Sequence, residues 1–289
     1  MNKYKYHINS DNSDDLLYVD YNLVLSCNGF DGKDARLNID NFMEYNGRKY
    51  ELNQKETVVH NFSNLSEKSY YPCLGHSKNG SNGRGIADDK FFEILDLFKD
   101  KGDIIKLLHG NIFSPVFVYG YGPDMNSDLL IVLMIKQISD YTELVANQYG
   151  LSTLQKETKA WNSETEKWDK ILITIAKCPG KKEFHLIVPE ELLVKELPYS
   201  ASNFLYKFWR PKFNAMNVKN GLDEMNIGEF KKWIRNQGYT DHDYLIKVIQ
   251  DISYDELIDY LTRSEKISLI NRNKRLKKLE DNSKKKNDN

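Results

Sequence analysis

The sequence predicts an α+β protein with a mixed, mainly antiparallel sheet in its N-terminal two-thirds, a helical C-terminal region and a disordered basic tail. Before residue 198, short β-branched and aromatic segments alternate with turn dipeptides, which is typical of strands. After residue 198 the strand signals vanish and apolar residues recur at helical spacing. Strand and helix signals show no regular βαβ rhythm, so a doubly wound sheet is not expected.

We divide the chain into a β-rich α+β domain (residues 1–197), a helical region (198–280) and a disordered tail (281–289). The 289 residues include 41 basic and 42 acidic side chains, and the net charge is -1. Any basic binding surface must therefore be local. The 3 cysteines form no CxxC pair, so neither a zinc site nor a disulfide framework is predicted.

Localisation follows from the apolar segments. The N-terminus has no apolar stretch after its lysines, so it does not resemble a signal peptide. The longest apolar run, residues 129–135, is far shorter than the roughly 20 residues that a membrane helix needs. We therefore expect a soluble, cytoplasmic protein with no membrane partner.

The first 70 residues are predicted to form a β-meander, because short apolar segments alternate with turn signals. The segment 35–43 is ambiguous between a strand and a short helix. The predicted strands are 16–26, 48–52 and 56–62, and the turn signals are Asn28-Gly29, Asp31-Gly32 and Asn46-Gly47.

The middle of the chain mixes helices and strands. Phe91, Leu95 and Phe98 share one helical face, which predicts a helix over 90–99. Residues 116–121 and 129–138 are predicted strands, and the second is apolar on both faces, as a central strand would be. A helix follows at 141–149. The alternating segment 167–177 predicts a strand whose hairpin partner is 183–188.

Three helical patterns follow residue 198, at 227–236, 241–251 and 254–261. Residues 264–278 are compatible with a basic helix that extends the last of these patterns. The charged end of the chain has no periodic apolar face, which predicts a disordered tail.

A polar loop at 76–85 combines glycine and asparagine with two cations. Gly and Asn tolerate positive φ, which turns backbone N–H groups toward one point and creates an anion-binding site. Lys78, Asn82 and Arg84 are therefore candidate nucleic-acid-binding residues. The alternative is an exposed hairpin loop without a ligand, and Asp88-Asp89 beside it would repel phosphate.

The same loop resembles the signature of the Fic-domain family, HxFx(D/E)GNGRxxR, at His76, Asn82, Gly83 and Arg84. The resemblance implies a nucleotidyl (AMP) transferase in which His76 is the general base and the Asn-Gly-Arg turn holds phosphates. It covers about a dozen residues. The chain departs from the signature at Lys78, Gly80 and Ala87, which replace a phenylalanine, a metal-binding acid and an arginine.

A second pattern has the outline of a PD-(D/E)xK nuclease site, in which two carboxylates at strand ends hold Mg²⁺ and a lysine orients the attacking water. Asp124 and Asp128 are the candidate catalytic and metal-binding acids, and Lys136 is the candidate lysine. Met134 stands where the pattern has an acid, and it cannot bind magnesium. The alternative is a hairpin turn rich in Pro, Asp, Asn and Ser.

Residues 203–213 interleave aromatic rings with cations, a combination that holds single strands of nucleic acid. Lys207, Trp209 and Arg210 are the candidate binding residues, and the lysines and arginines near the end of the chain form a second basic cluster. The alternative is a linker whose rings dock the helical region onto the rest.

Together, these patterns predict a nucleic-acid-interacting protein, with a divergent Mg²⁺-dependent endonuclease of the restriction or defence type as its enzymatic form. Two alternatives stay open. One is the nucleotidyl transferase that uses residues 76–84, and the other is a non-catalytic protein-interaction module.

Overall fold

The computed structural model shows an α+β fold with small antiparallel sheets and a helical C-terminal region, which confirms the predicted fold class. Among the described residues, no helix is both long and apolar enough to cross a membrane. The structure describes residues 5–7, 16–66, 68–72, 74, 91–93, 95–96 and 121–287, with side chains to residue 281.

The elements are labelled in chain order over these residues. They are β1 (Tyr18–Val19), a 3-10 helix (Tyr21–Ser26), α1 (Gly32–Glu51), α2 (Lys55–Phe62), α3 (Pro123–Leu133), α4 (Ile135–Tyr149), β2 (Thr153–Asn162), β3 (Lys167–Ala176), a second 3-10 helix (Glu190–Leu192), β4 (Leu193–Val194), a π-helix (Asn203–Trp209), α5 (Arg210–Lys219), α6 (Ile227–Asn236), α7 (Asp241–Asp251) and α8 (Tyr254–Asn287).

The predicted β-meander is wrong, because residues 21–62 are mostly helical. α1 runs through the Asn46-Gly47 dipeptide that predicted a hairpin. Nδ2 of the buried Asn46 side chain donates to the carbonyl of Phe42 at 2.6 Å, and its Oδ1 accepts from Nδ2 of Asn61 in α2 at 3.0 Å. These bonds join α1 to α2, so tertiary packing outweighs the turn preference of the dipeptide.

The central strand predicted at 129–138 is also wrong, because these residues form the end of α3 and the start of α4. Pro123 lies in the first turn of α3, where its missing N–H costs nothing. Residues 129–135 are at most 1% exposed, so the run is apolar because a buried helix is surrounded by protein on all sides. Periodicity alone cannot separate that case from a buried strand.

β2 and β3 form an antiparallel hairpin in register from Thr153↔Ala176 to Asn162↔Lys167. The strand predicted at 167–177 is confirmed. Its predicted partner is wrong, because segment 183–188 contributes only the single bridge Ala176↔His185. A second, smaller sheet pairs β1 with β4.

The turn end of the hairpin packs on α1 and α2 through aromatic rings. The Phe42 ring lies 5.3 Å from Phe62, 5.0 Å from Trp161 and 5.8 Å from Trp168, measured between centroids. Nε1 of Trp161 donates to Asn41 Oδ1 at 2.8 Å. This cluster fixes one end of the hairpin rigidly against the helices.

The helices predicted after residue 198 are confirmed. α6 and α7 have the predicted bounds, and each begins with a reciprocal capping box, Asn226 with Glu229 and Thr240 with Asp243. The described residues within 90–99 are helical as well. α8 begins at Tyr254 as predicted, and its backbone is described to Asn287, whereas side chains from 282 onward and residues 288–289 lie outside the described residues.

α8 is held against the segment around Glu190, in the N-terminal two-thirds of the chain, by a buried ion pair. The Arg275 guanidinium pairs with the Glu190 carboxylate and donates to the carbonyls of Glu190 and Leu193, each at 3.0 Å. His7 Nδ1 lies 3.3 Å from the other oxygen of Glu190. Burial raises the pKa of Glu190, but His7 and Arg275 outweigh burial and hold the pKa below its usual value.

A buried carboxyl group marks the end of β1. The Asp20 side chain is fully buried and accepts from the Asn22 N–H and the Tyr199 hydroxyl, both at 3.0 Å. Burial raises its pKa to about 6, although these bonds and Ser268 of α8 favour the charged form. Asp20 therefore joins three distant parts of the chain at the cost of a buried titratable group.

Arg275→Ala should destabilise the protein by about 3–5 kcal/mol, because it leaves a buried carboxylate and two carbonyls without their donor. Lys274→Ala, on the exposed side of the same helix, should change stability by less than about 0.5 kcal/mol. Urea unfolding of both variants measures the difference. Similar effects would contradict the anchoring of α8 by Arg275.

Asp20→Asn should remove a pH dependence of stability. The folded-state pKa of about 6 exceeds the ordinary value of 3.8, so the stabilisation is complete below pH 3.8 and is lost as the pH rises through 6. The loss amounts to about 3 kcal/mol, at about 1.4 kcal/mol per pH unit. Urea unfolding across this window should give a falling free energy for the native protein relative to Asp20→Asn, and parallel curves would contradict the assignment.

Candidate functional site

The β2–β3 hairpin has one covered strand and one open strand. The second half of β3, Ile173–Ala176, is buried, and the N–H of Thr174 donates to Ser139 Oγ of α4 at 2.7 Å. The first half of β2 is exposed and, within the described part of the chain, pairs with no other strand than β3. β2 is therefore an edge strand along the part of the hairpin that leaves the core.

A groove of about 370 Å³ lies between β2 and the segment 63–71 that follows α2. Tyr70 joins its two walls. The Tyr70 hydroxyl donates to Thr158 Oγ1 of β2 at 2.9 Å, and the Tyr70 carbonyl accepts from the Leu186 N–H at 2.8 Å. Burial raises the pKa of Tyr70, which favours the neutral phenol that donates this bond.

Cations dominate the lining of this groove. Among the described lining residues, four lysines against one acid give a formal charge of +3, and Glu67, between Ser66 and Lys68, lies outside the described residues. The charged lining residues are Lys68, Lys156, Lys159, Lys170 and Glu157.

Neutral groups hold three of these lysines in place. Lys159 Nζ donates to Asn64 Oδ1 at 2.8 Å, across the groove. Lys156 Nζ lies 5.2 Å from the centroid of the Tyr70 ring, and Lys68 Nζ donates to Ser66 Oγ at 3.0 Å. Such contacts position an ammonium group without neutralising its charge.

Lys159 and Lys170 are directly opposite each other in the β2–β3 register. Directly opposed side chains have Cβ atoms about 5 Å apart, and like charges there destabilise a sheet. Glu157 offsets part of this repulsion, since its carboxylate lies 3.2 Å from Lys170 Nζ. The hairpin thus keeps an unfavourable lysine pair at the groove, where a bound anion would relieve it.

A second pocket of about 270 Å³ near the turn of the hairpin has the opposite character. Asp34, Glu164 and Asp169 line it together with Lys136, whose Nζ lies 3.8 Å from Asp34 Oδ2. In the part of the chain that the structure describes, no group of three or more His, Cys, Asp or Glu side chains is arranged to hold a metal ion.

The candidate nuclease residues lie on helices. Asp124 and Asp128 are one turn apart on α3. Burial and the Asp124 carboxylate raise the pKa of Tyr18. Burial and the Asp128 carboxylate raise the pKa of Tyr121. Lys136 lies on α4 and lines the second pocket instead. These segments form helices where the pattern needs strand ends, so the structural premise of this site is wrong, and a role for Mg²⁺ stays a prediction.

The aromatic and basic segment is largely folded inward. The Arg210 guanidinium donates to the carbonyls of Tyr206 at 3.2 Å and Met225 at 2.7 Å, and Trp209 Nε1 lies 3.3 Å from the Tyr244 hydroxyl. These contacts give Trp209 and Arg210 a place in the packing of the helices. Lys207 is exposed and lines a separate cavity.

The loop at 76–85, with Lys78, Asn82 and Arg84, lies outside the described residues, as does His76. Its roles in phosphate binding and in nucleotidyl transfer therefore stay predictions.

The sequence-based prediction missed the lysines of β2, because no strand was assigned to residues 153–162. A signal was present: Lys156 and Lys159 precede the turn-rich stretch 162–167 and a recognised strand. That order is typical of a hairpin. The opposed pair of Lys159 and Lys170 follows only from the register.

Residues 2–200 match a family that is described as Domain of unknown function (DUF8370). The match includes both walls of the lysine-lined groove, and it ends next to the domain boundary that the sequence predicts at residue 197. No curated protein and no solved structure matches the chain.

Proposed function

The chain belongs to the DUF8370 family, and we propose that the protein binds nucleic acid in the groove between β2 and residues 63–71. The observation that carries the proposal is the lysine-rich lining, with Lys159 opposite Lys170 and with Glu157 as the single acid among the described lining residues. Lysines meet phosphate as point charges, and phosphate contacts supply most of the affinity for nucleic acids.

The spacing of the lysines favours a polymer over a single phosphate. Lys156 and Lys159 are three residues apart on an extended strand, so their Cα atoms lie about 10 Å apart. Lys156 Nζ is held at the Tyr70 ring and Lys159 Nζ at Asn64, so the two ammonium groups have separate positions, and a chain with repeated phosphates meets them in turn. The proposed ligand is therefore a nucleic-acid strand that follows the groove.

Relief of the lysine repulsion adds to the binding energy. In the free protein, Lys159 and Lys170 repel each other across the ladder. A phosphate between them replaces that repulsion with two attractions, so part of the hairpin's strain is recovered on binding. Sites built for binding commonly sacrifice stability in this way.

A second part of the proposal is that the protein cleaves the bound strand. An Mg²⁺-dependent endonuclease would use Asp124, Asp128 and Lys136, which do not line the groove. Incubation of a bound strand with and without Mg²⁺ tests it: cleavage that is lost in Asp124→Ala and in Asp128→Ala would support an endonuclease, and an intact strand would leave a binding protein.

The triple variant Lys156→Ala/Lys159→Ala/Lys170→Ala should weaken binding by at least about tenfold at low salt. The slope of log K against log salt concentration should fall in magnitude by about 2–3, roughly one per phosphate contact. Fluorescence anisotropy with labelled single-stranded RNA, single-stranded DNA and duplex DNA measures both quantities and distinguishes the three ligands.

The matched control is Lys195→Ala/Lys219→Ala/Lys266→Ala, which removes the same charge from exposed positions outside the groove. Its salt slope should match that of the native protein. If both triple variants lose affinity equally, the binding depends on overall charge and the groove is not the site. If neither does, or if no strand binds at low salt, the proposal is wrong.

Glu157→Gln should change stability and affinity in opposite directions. It leaves the opposed lysines without their acid, which should lower the free energy of unfolding by about 0.5 kcal/mol. The groove becomes more positive, so affinity for the strand should rise about twofold or more. Glu265→Gln, at an exposed position on α8, should change neither, and a weaker complex of Glu157→Gln would contradict the electrostatic account.

A further inference from the structure

A cavity of about 120 Å³ lies where the π-helix meets α8, in the helical region and apart from the groove. Its lining includes Lys207 and Phe208 from the π-helix, Glu196 from the preceding segment, and Tyr260, Arg263 and Ile267 from α8. Among the described residues it shares no lining residue with the groove, so a ligand in this cavity would be independent of the proposed nucleic-acid function.

The π-helix itself is an unusual way to build this wall. It extends over Asn203–Trp209, whereas most π-helical stretches are single turns inserted in α-helices, frequently at functional sites. Nδ2 of Asn203 donates to the carbonyls of Leu197 at 3.3 Å and Pro198 at 2.9 Å, which fixes the start of the helix. The wider turn places Lys207 and Phe208, adjacent in sequence, at the same cavity.

Part of the cavity wall is aromatic and fixed by packing, and Asn203, Ser264 and Asn271 add polar side chains to the lining. The Phe208 ring lies 5.1 Å from the Tyr260 ring, and both side chains are buried. The Tyr260 hydroxyl accepts from the Ser200 N–H at 3.2 Å, so its polar end points to a backbone partner. Ile267 is 44% exposed and adds an aliphatic edge to the opening.

The rim carries both signs of charge. The exposed side chains of Glu196 and Lys207 have no ion-pair partner among the described residues. Arg263 is already held by Asp259, with Nη2 at 2.8 Å and Nε at 2.9 Å from its carboxylate oxygens. A ligand with a single charge would satisfy one rim residue and leave the other opposed or unpaired.

We propose that this cavity binds a free α-amino acid with a branched aliphatic side chain. Its carboxylate pairs with Lys207, its ammonium group pairs with Glu196, and its side chain lies against Phe208, Tyr260 and Ile267. The volume of about 120 Å³ is somewhat smaller than the roughly 150 Å³ that accommodates benzene, so it suits the four-carbon side chain of leucine while the two charged groups stay at the rim. A ligand of this size binds with a Kd on the order of 0.1–1 mM.

Calorimetric titration of the full chain with L-leucine tests the proposal against two analogues that each lack one charge. These are 4-methylpentanoate, without the ammonium group, and 3-methylbutylamine, without the carboxylate. Each should bind more weakly, by up to about fivefold, since an exposed ion pair contributes up to about 1 kcal/mol. Lys207→Ala and Glu196→Ala should weaken leucine binding by a similar factor.

Ile267→Trp supplies a steric test, because a larger side chain at the opening fills the space of the ligand. Its control is Ile270→Trp, an exposed position on the same helix that does not line the cavity. Loss of binding in the first variant and retention in the second would support the site. No saturable heat at millimolar leucine, equal binding of either analogue, or unchanged binding in Lys207→Ala would overturn it.

Discussion

The structure depends on how a sheet of two strands is covered. α4 and the core bury β3, and the aromatic cluster around Phe42 fixes the turn end, so β2 is left as an edge strand. Edge strands are commonly protected from further pairing by lysine. Here the register places Lys159 opposite Lys170. Two directly opposed lysines lower the stability of the sheet, and protection of an edge strand does not require such a pair. The groove follows from this arrangement, since Tyr70 brings residues 63–71 alongside the charged edge.

Buried polar contacts outside the hairpin connect α8 and Tyr199 to the rest of the fold. Arg275 of α8 reaches the buried Glu190, and Asp20 accepts bonds from both its own segment and Tyr199. These buried polar contacts are strong only while every partner is present, because a buried charge that loses its partner is costly. The helical region is thereby coupled to the N-terminal two-thirds of the chain, which carries the groove.

The sequence was informative where structure is decided locally. The periodic apolar faces predicted the bounds of the last helices, where the structure shows capping boxes at Asn226 and Thr240, and the alternation in 167–177 predicted β3. It was misleading where packing decides, as at Asn46-Gly47 inside α1 and in the apolar run of α3 and α4. The groove depends on strand register and on the Tyr70–Thr158 contact between residues 88 positions apart, and neither leaves a local pattern. Lys78 and Arg84 lie outside the described residues, and Lys207 proved to line a different cavity.

The central claim is that the lysines of the groove, as a group, meet the phosphates of a nucleic acid. Chemical acetylation of the protein with and without a short oligonucleotide, read by mass spectrometry, measures this residue by residue. The account predicts slower acetylation of Lys156, Lys159 and Lys170 in the complex, with unchanged rates at the exposed Lys195, Lys219 and Lys266. Uniform rates at all six lysines, or protection confined to the second set, would contradict it.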